Sequence, residues 1–159
     1  MRKVIIVFVI FMGFMDNIMA QNPDYLFMIE NACKAPSGHN TQPWLFKIRE
    51  SEIDIYPDLS KELPVVDSSH RELFVSLGCA TENLCIAAQE KGYQTEVKVI
   101  KDSFIRVLLT KDKKKQFDSS LFSQIAVRQT NRSVYDGKEI PKDSINLLKA
   151  TSNDPSISI

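Results

Sequence analysis

An α+β fold, with helices packed on a largely antiparallel sheet, follows from two patterns. Four short stretches alternate apolar and polar residues and fall into two consecutive pairs joined by short polar turns, the mark of hairpins. One long stretch, from Leu73 to Ala88, repeats its apolar residues at helical period. At 159 residues the chain is one domain at most, or a piece of one. Its hydrophobic fraction of 43% and charged fraction of 25% are those of an ordinary globular chain.

The first helix begins at Asn22 and Pro23, which suit an N-cap and a first helical position. Leu26, Phe27, Ile29, Ala32 and Cys33 supply its apolar stripe, and it runs to about Lys34. Trp44 to Arg49 then alternates, with Trp44, Phe46 and Ile48 on one face. Ile53 to Tyr56 follows the polar turn Glu50-Ser51-Glu52. Pro57 to Asp67 reads as a loop. Ser69-His70-Arg71-Glu72 has capping-box spacing, placing His70 and Arg71 on an exposed first turn of the next helix. Leu73, Leu77, Ala80, Leu84 and Ala88 form its core face. Gly78, Ala80, Ala87 and Ala88 are small enough for close packing against another helix, and Gly92 ends the element. Gln94–Ile100 and Phe104–Thr110 alternate as two more strands around the turn Lys101-Asp102-Ser103. Leu121–Val127 and Asp143–Ala150 read as short helices.

Charge and cysteine content narrow the function classes. Lysine plus arginine and aspartate plus glutamate number 20 each, so bulk attraction to nucleic acid has no support. The run Lys111 to Lys115, interrupted by Asp112, reads as a solvated linker. Cys33, Cys79 and Cys85 make an odd count without C-x-x-C spacing, which argues against a zinc site. Cys79 and Cys85 fall on the long helix as small hydrophobes, and nothing near Cys33 predicts a lowered pKa. Arg2 and Lys3, the apolar run Val4–Met15 and Ile18-Met19-Ala20 read as a secretory signal cleaved before Gln21. An uncleaved membrane anchor is the alternative.

Two stretches carry chemistry. In Ala35-Pro36-Ser37-Gly38-His39-Asn40-Thr41-Gln42-Pro43-Trp44, Pro36 and Gly38 stop the helix and bring the backbone close to whatever sits there. Ser37, Asn40 and Gln42 offer donors and acceptors, and an amide does both at once. The plain alternative is a helix-to-strand turn that bonds only to itself. Trp44 lies either beside a bound ring or in the core. In Arg128-Gln129-Thr130-Asn131-Arg132, two guanidiniums flank a hydroxyl at alternate positions. In extended backbone these point the same way and can hold a phosphate. No residue looks like an activated nucleophile, so no catalytic side chain is assigned.

The string A-P-S-G-H-N-T-Q-P-W resembles the signature loop of the nitroreductase-like flavoproteins, most closely the Acg-type branch, in which two halves of one chain imitate a dimer. The run from Arg71 to Tyr93 resembles that pattern's second block. The resemblance implies an α+β nitroreductase-like fold and FMN as cofactor. It implies FMN contacts from Pro36, Ser37, Gly38, Asn40 and Gln42, with Arg128, Thr130 and Arg132 on the flavin phosphate. It divides the chain into a signal at 1–20, a first half at 21–127 and the start of a second half at 128–159, with one flavin site per chain. The remainder of a second half is missing from the match, which implies a fragment, a truncated product or a half that forms a homodimer. Apolar faces meant for the missing half would then be exposed. Three functions follow from this: exported FMN binding or storage, NAD(P)H-dependent reduction of nitroaromatics or quinones, and a remnant without function.

Overall fold

Asn22 is a true N-cap of the first helix: its side-chain oxygen accepts from the Asp24 N–H at 3.0 Å, and Pro23 takes the first helical position. The computed structural model describes residues 22–101, 103–112 and 120–151. The expected signal at 1–20, Asp102 and most of the lysine run lie outside the described residues. Among those residues no helix is long and apolar enough to cross a membrane.

Helix α1 (Pro23–Ala32) buries Tyr25, Met28, Asn31 and Ala32; of the expected stripe Ala32 is buried, Phe27, Ile29 and Cys33 pack half-buried against the core, and Leu26 is exposed. Tyr25, Met28 and Ala32 recur three and four residues apart, so they form the inner face. The neighbouring Leu26 falls outside it. Strands β1 (Trp44–Ile48) and β2 (Glu52–Pro57) form the first hairpin, with Phe46 opposite Ile55. The expected loop after β2 contains a single 3-10 turn, Leu59–Lys61. Helix α2 (Arg71–Glu90) is the long core element; strands β3 (Tyr93–Ile100) and β4 (Phe104–Lys111) form the second hairpin, and α3 (Phe122–Val127) follows.

The sheet order is β1-β2-β4-β3, antiparallel throughout. Ile53, Ile55, Ile105, Val107 and Leu109 point to one face. There they meet Met28 and Ala32 of α1 and Leu77, Ala80, Leu84 and Ala88 of α2 in one continuous core. The opposite face is held by charge. Asp54 is fully buried, and Arg106 donates to it from Nε at 2.7 Å and from Nη2 at 3.0 Å. Arg49 Nε adds a third bond at 2.9 Å. Arg106 is the main reason the Asp54 carboxyl lies below its usual pKa, against the pull of burial, and Arg49 adds to it.

The start of α2 departs from the capping-box expectation. Ser69 makes no cap. His70 takes the N-cap position in left-handed backbone (φ 57°) without a capping side-chain bond. Asp67 does that work from further back, accepting from the Leu73 N–H at 2.9 Å. Burial would raise the Asp67 pKa, but the N–H groups of Leu73, Glu72 and Arg71 outweigh it and hold the carboxyl low. Gly78 was expected to allow close helix packing, yet a Cβ there would meet nothing within 4 Å. Cys85 is buried and Cys79 is half-buried; burial pushes the Cys85 thiol up to about 11.

The described residues form two units, one ending at Arg128 and one beginning at Gln129. The second contains irregular backbone and helix α4 (Lys142–Lys149).

Candidate functional site

The loop between α1 and β1 is built by the residues that end the helix. After Cys33, the N–H groups of Lys34 and Ala35 bond back to Asn31 and Ala32, closing a last tight turn before Pro36. A 3-10 turn at Gly38–Asn40 then carries the chain toward β1. His39, Asn40 and Gln42 all stand in left-handed backbone, at φ 48°, 59° and 52°. Asparagine and histidine tolerate that region better than most residues; glutamine occupies it only when its surroundings impose it.

Those surroundings are specific. Ser37 Oγ accepts from the Gln42 N–H at 3.0 Å and pins the two ends of the loop together. The Gly38 N–H donates to Ser76 Oγ at 3.2 Å, which ties the loop to α2. Lys61 Nζ donates to the Gln42 carbonyl at 3.2 Å from the loop after β2. Gly38 sits so close to α2 that a Cβ would come within 3.1 Å of Glu72 Oε2. The loop's backbone and Ser37 are therefore engaged internally, as the plain reading expected of the whole turn. The side-chain amides of Asn40 and Gln42 are different. Both residues are exposed, and among the described residues neither amide has a protein partner. Trp44 is buried in the core cluster.

Pro43 and Thr41, with Leu63, Asp67, Leu73 and Ser76, enclose a cavity of about 10 Å³ beneath the loop. That is room for one water, so any larger ligand meets the loop from outside.

Arg128 stands at the C-cap of α3, where α3 packs beside α2. With Asn83, Ile86, Leu121, Gln124 and Ile125 it lines an open groove of about 140 Å³. Asn83 also donates to the Asn31 carbonyl at 3.2 Å, so the end of α1 reaches the same flank. Ser76 under the loop and Asn83 beside Arg128 are seven residues apart on one face of α2, about 10 Å along its axis. Sequence reasoning treated α2 as core and missed both; the signal was two polar residues at helical spacing in an apolar run. Thr130 and Arg132 fall in the second unit, exposed in backbone without regular structure, where Asn131 accepts from the Ser133 N–H at 2.9 Å.

The chain is 30% identical over 124 residues to a Mycobacterium tuberculosis protein (strain H37Rv) named "Putative NAD(P)H nitroreductase", a match covering 75% of this chain and 36% of that protein. A second M. tuberculosis protein, named "Putative NAD(P)H nitroreductase acg", is 29% identical over 69 residues, covering 43% of this chain and 21% of that one. The chain is nitroreductase-like. No family model matches it. A nitroreductase family protein from Streptococcus pneumoniae aligns over 81% of this chain and 90% of its own, at 15% identity and a TM-score of 0.46. The nitroreductase-like chain spans about a third of the length of the first curated relative, 36%.

The residues present suit a flavin mononucleotide. Asn40 and Gln42 present mixed donors and acceptors, which a flavin ring edge needs, and Arg128 presents a guanidinium suited to a phosphate.

Proposed function

We propose that this chain binds FMN and serves NAD(P)H-dependent reduction of nitroaromatic or quinone acceptors. The observation that carries the reading is the pair of partnerless amides, Asn40 and Gln42, held out from left-handed backbone in a loop that Ser37, Gly38 and the Gln42 backbone tie down. Side chains without structural duty, fixed in a strained conformation, are characteristic of ligand sites. The relatives' names point the same way.

In this reading Pro36 and Gly38 bring the backbone up to the ring, and Ser37 fixes the loop's shape. Asn40 and Gln42 hydrogen-bond the ring edge. Arg128 holds the phosphate. FMN supplies the redox chemistry when bound; the protein supplies position and charge. The leader-like segment 1–20 supports export and with it a second reading, flavin binding or storage without turnover, since nicotinamide donors are expected inside the cell.

The test is anaerobic spectroscopy of the purified full chain loaded with FMN. Bleaching of the flavin band by NADPH, reversed by a nitroaromatic, supports the reductase. Stable flavin binding without bleaching favours storage. Failure of the chain to take up flavin at all rejects both. Cell fractionation tests export, which a purely cytoplasmic chain would contradict.

A further inference from the structure

The chain has 2 histidines, and both stand in left-handed backbone, His39 at φ 48° and His70 at φ 57°. Their surroundings differ. His70 Nε2 lies 2.8 Å from Glu62 Oε2, so its imidazole is occupied in tying the loop after β2 to the start of α2. His39 is exposed in the tight turn of the site loop. Among the described residues its ring has no hydrogen bond, ion pair or ring contact. The turn closes without it: the N–H groups of Asn40 and Thr41 bond back to the carbonyls of Ser37 and Gly38, each at 3.0 Å. An unengaged imidazole therefore stands directly beside the unengaged amide of Asn40.

A flavin ring offers its host more acceptors than donors. N1, O2, O4 and N5 accept along its polar edge, and only N3–H donates. The neutral amides of Asn40 and Gln42 present donors and acceptors in equal number, which leaves that surplus of acceptors unmet. An imidazolium is a donor alone, and its bond is charge-assisted, roughly twice as strong as a neutral one. The other charged groups around the loop are Glu72 of α2, whose Oε2 would lie 3.1 Å from a Cβ on Gly38, and Lys61, Glu62 and Asp67 from the loop after β2. Carboxyls and amines ordinarily titrate outside the range from about pH 5 to 8, and imidazoles within it.

We propose that His39 joins Asn40 and Gln42 on the flavin ring and binds it in the imidazolium form, so that the site holds flavin more tightly as the medium turns acidic. This rests on the flavin reading and adds to it a charge and a pH dependence.

Titration of the full chain with riboflavin between about pH 5 and 8 tests it, with circular dichroism confirming that each variant is folded. Riboflavin is the probe because the phosphate of FMN itself takes up a proton near about pH 6. Wild-type affinity should rise about fivefold or more from the alkaline to the acid end. His39→Asn suits the left-handed backbone and carries no charge, so its affinity should not vary with pH. His70→Asn should keep the wild-type dependence. A wild type indifferent to pH, a dependence that survives His39→Asn, or one lost in His70→Asn overturns the proposal and leaves the flavin reading standing. So does binding of FMN without binding of riboflavin, since the ring would then be unheld. Uptake of neither flavin at any pH overturns both.

Discussion

The outer face of the sheet and the loop before β1 both gather polar side chains on a few residues, but to opposite ends. Around Asp54, Arg106 and Arg49 converge on one buried carboxylate, and every oxygen is used. In the loop, Asn40 and Gln42 face solvent without a protein partner, while the backbone beneath them is held in left-handed conformations. The first arrangement serves folding stability; the second is the kind the proposed flavin site would use. Burial with complete partnering marks a structural group. Exposure with imposed strain marks a functional one.

Breaking the first region should cost the most. Asp54→Ala leaves two guanidiniums facing each other over a hole, and urea unfolding should show a loss of about 2–4 kcal/mol. That is less than for a fully enclosed pair, because both arginines keep contact with water. FMN affinity of the folded variant should not change.

Acid should find the same groups. The folded pKa of Asp54 is lowered chiefly by Arg106, and that of Asp67 by backbone N–H groups despite burial. A carboxyl with a depressed folded pKa contributes stability above its unfolded value, about 3.9, and loses it as pH falls through the folded value. Thermal midpoints should stay level from about pH 7 to 5 and fall below about pH 4. Asp54→Asn should shallow that decline.

The loop should behave in the reverse sense. Asn40→Gly and Gln42→Gly remove the amides and suit the left-handed backbone, so each should weaken FMN binding by about 1–1.5 kcal/mol. Stability should rise or stay within about 0.5 kcal/mol of wild type, read by thermal unfolding. A loss of stability with unchanged flavin titration would make this an ordinary turn. The smallest effect belongs to Gly38→Ala. The new methyl is tight only against the end of the Glu72 side chain, which can move, and makes ordinary contact with Leu63, so stability should change by about 0.5 kcal/mol or less. Any loss of flavin affinity beyond that would show that the ring approaches the backbone there.

Much of the fold was legible because it follows from local rules. The cap at Asn22, both hairpins and the extent of α2 come from residue type and period. The sheet order was not legible, since placing β4 between β2 and β3 depends on pairing across some fifty residues. Asp54 was not singled out, because its partner Arg106 is brought to it only by that pairing. Asp67 was missed as the cap because His70 turns left-handed and moves the start of α2 away from Ser69. In the α1 stripe Leu26 was wrongly included and Met28 missed, because both are apolar and only tertiary packing chooses between them. Within the candidate site, the loop was visible as a motif; its link to Arg128 through Ser76 and Asn83 needed the helix between them.

Paired titrations of the full chain with FMN and with riboflavin, followed by flavin fluorescence, test the central claim most directly, because the two ligands differ only in the phosphate. Wild type should bind FMN more tightly than riboflavin. Arg128→Ala should weaken FMN binding by about 1.5–3 kcal/mol and leave riboflavin unchanged, closing the gap. Equal affinity for the two flavins in the wild type, or a gap that survives Arg128→Ala, would contradict it.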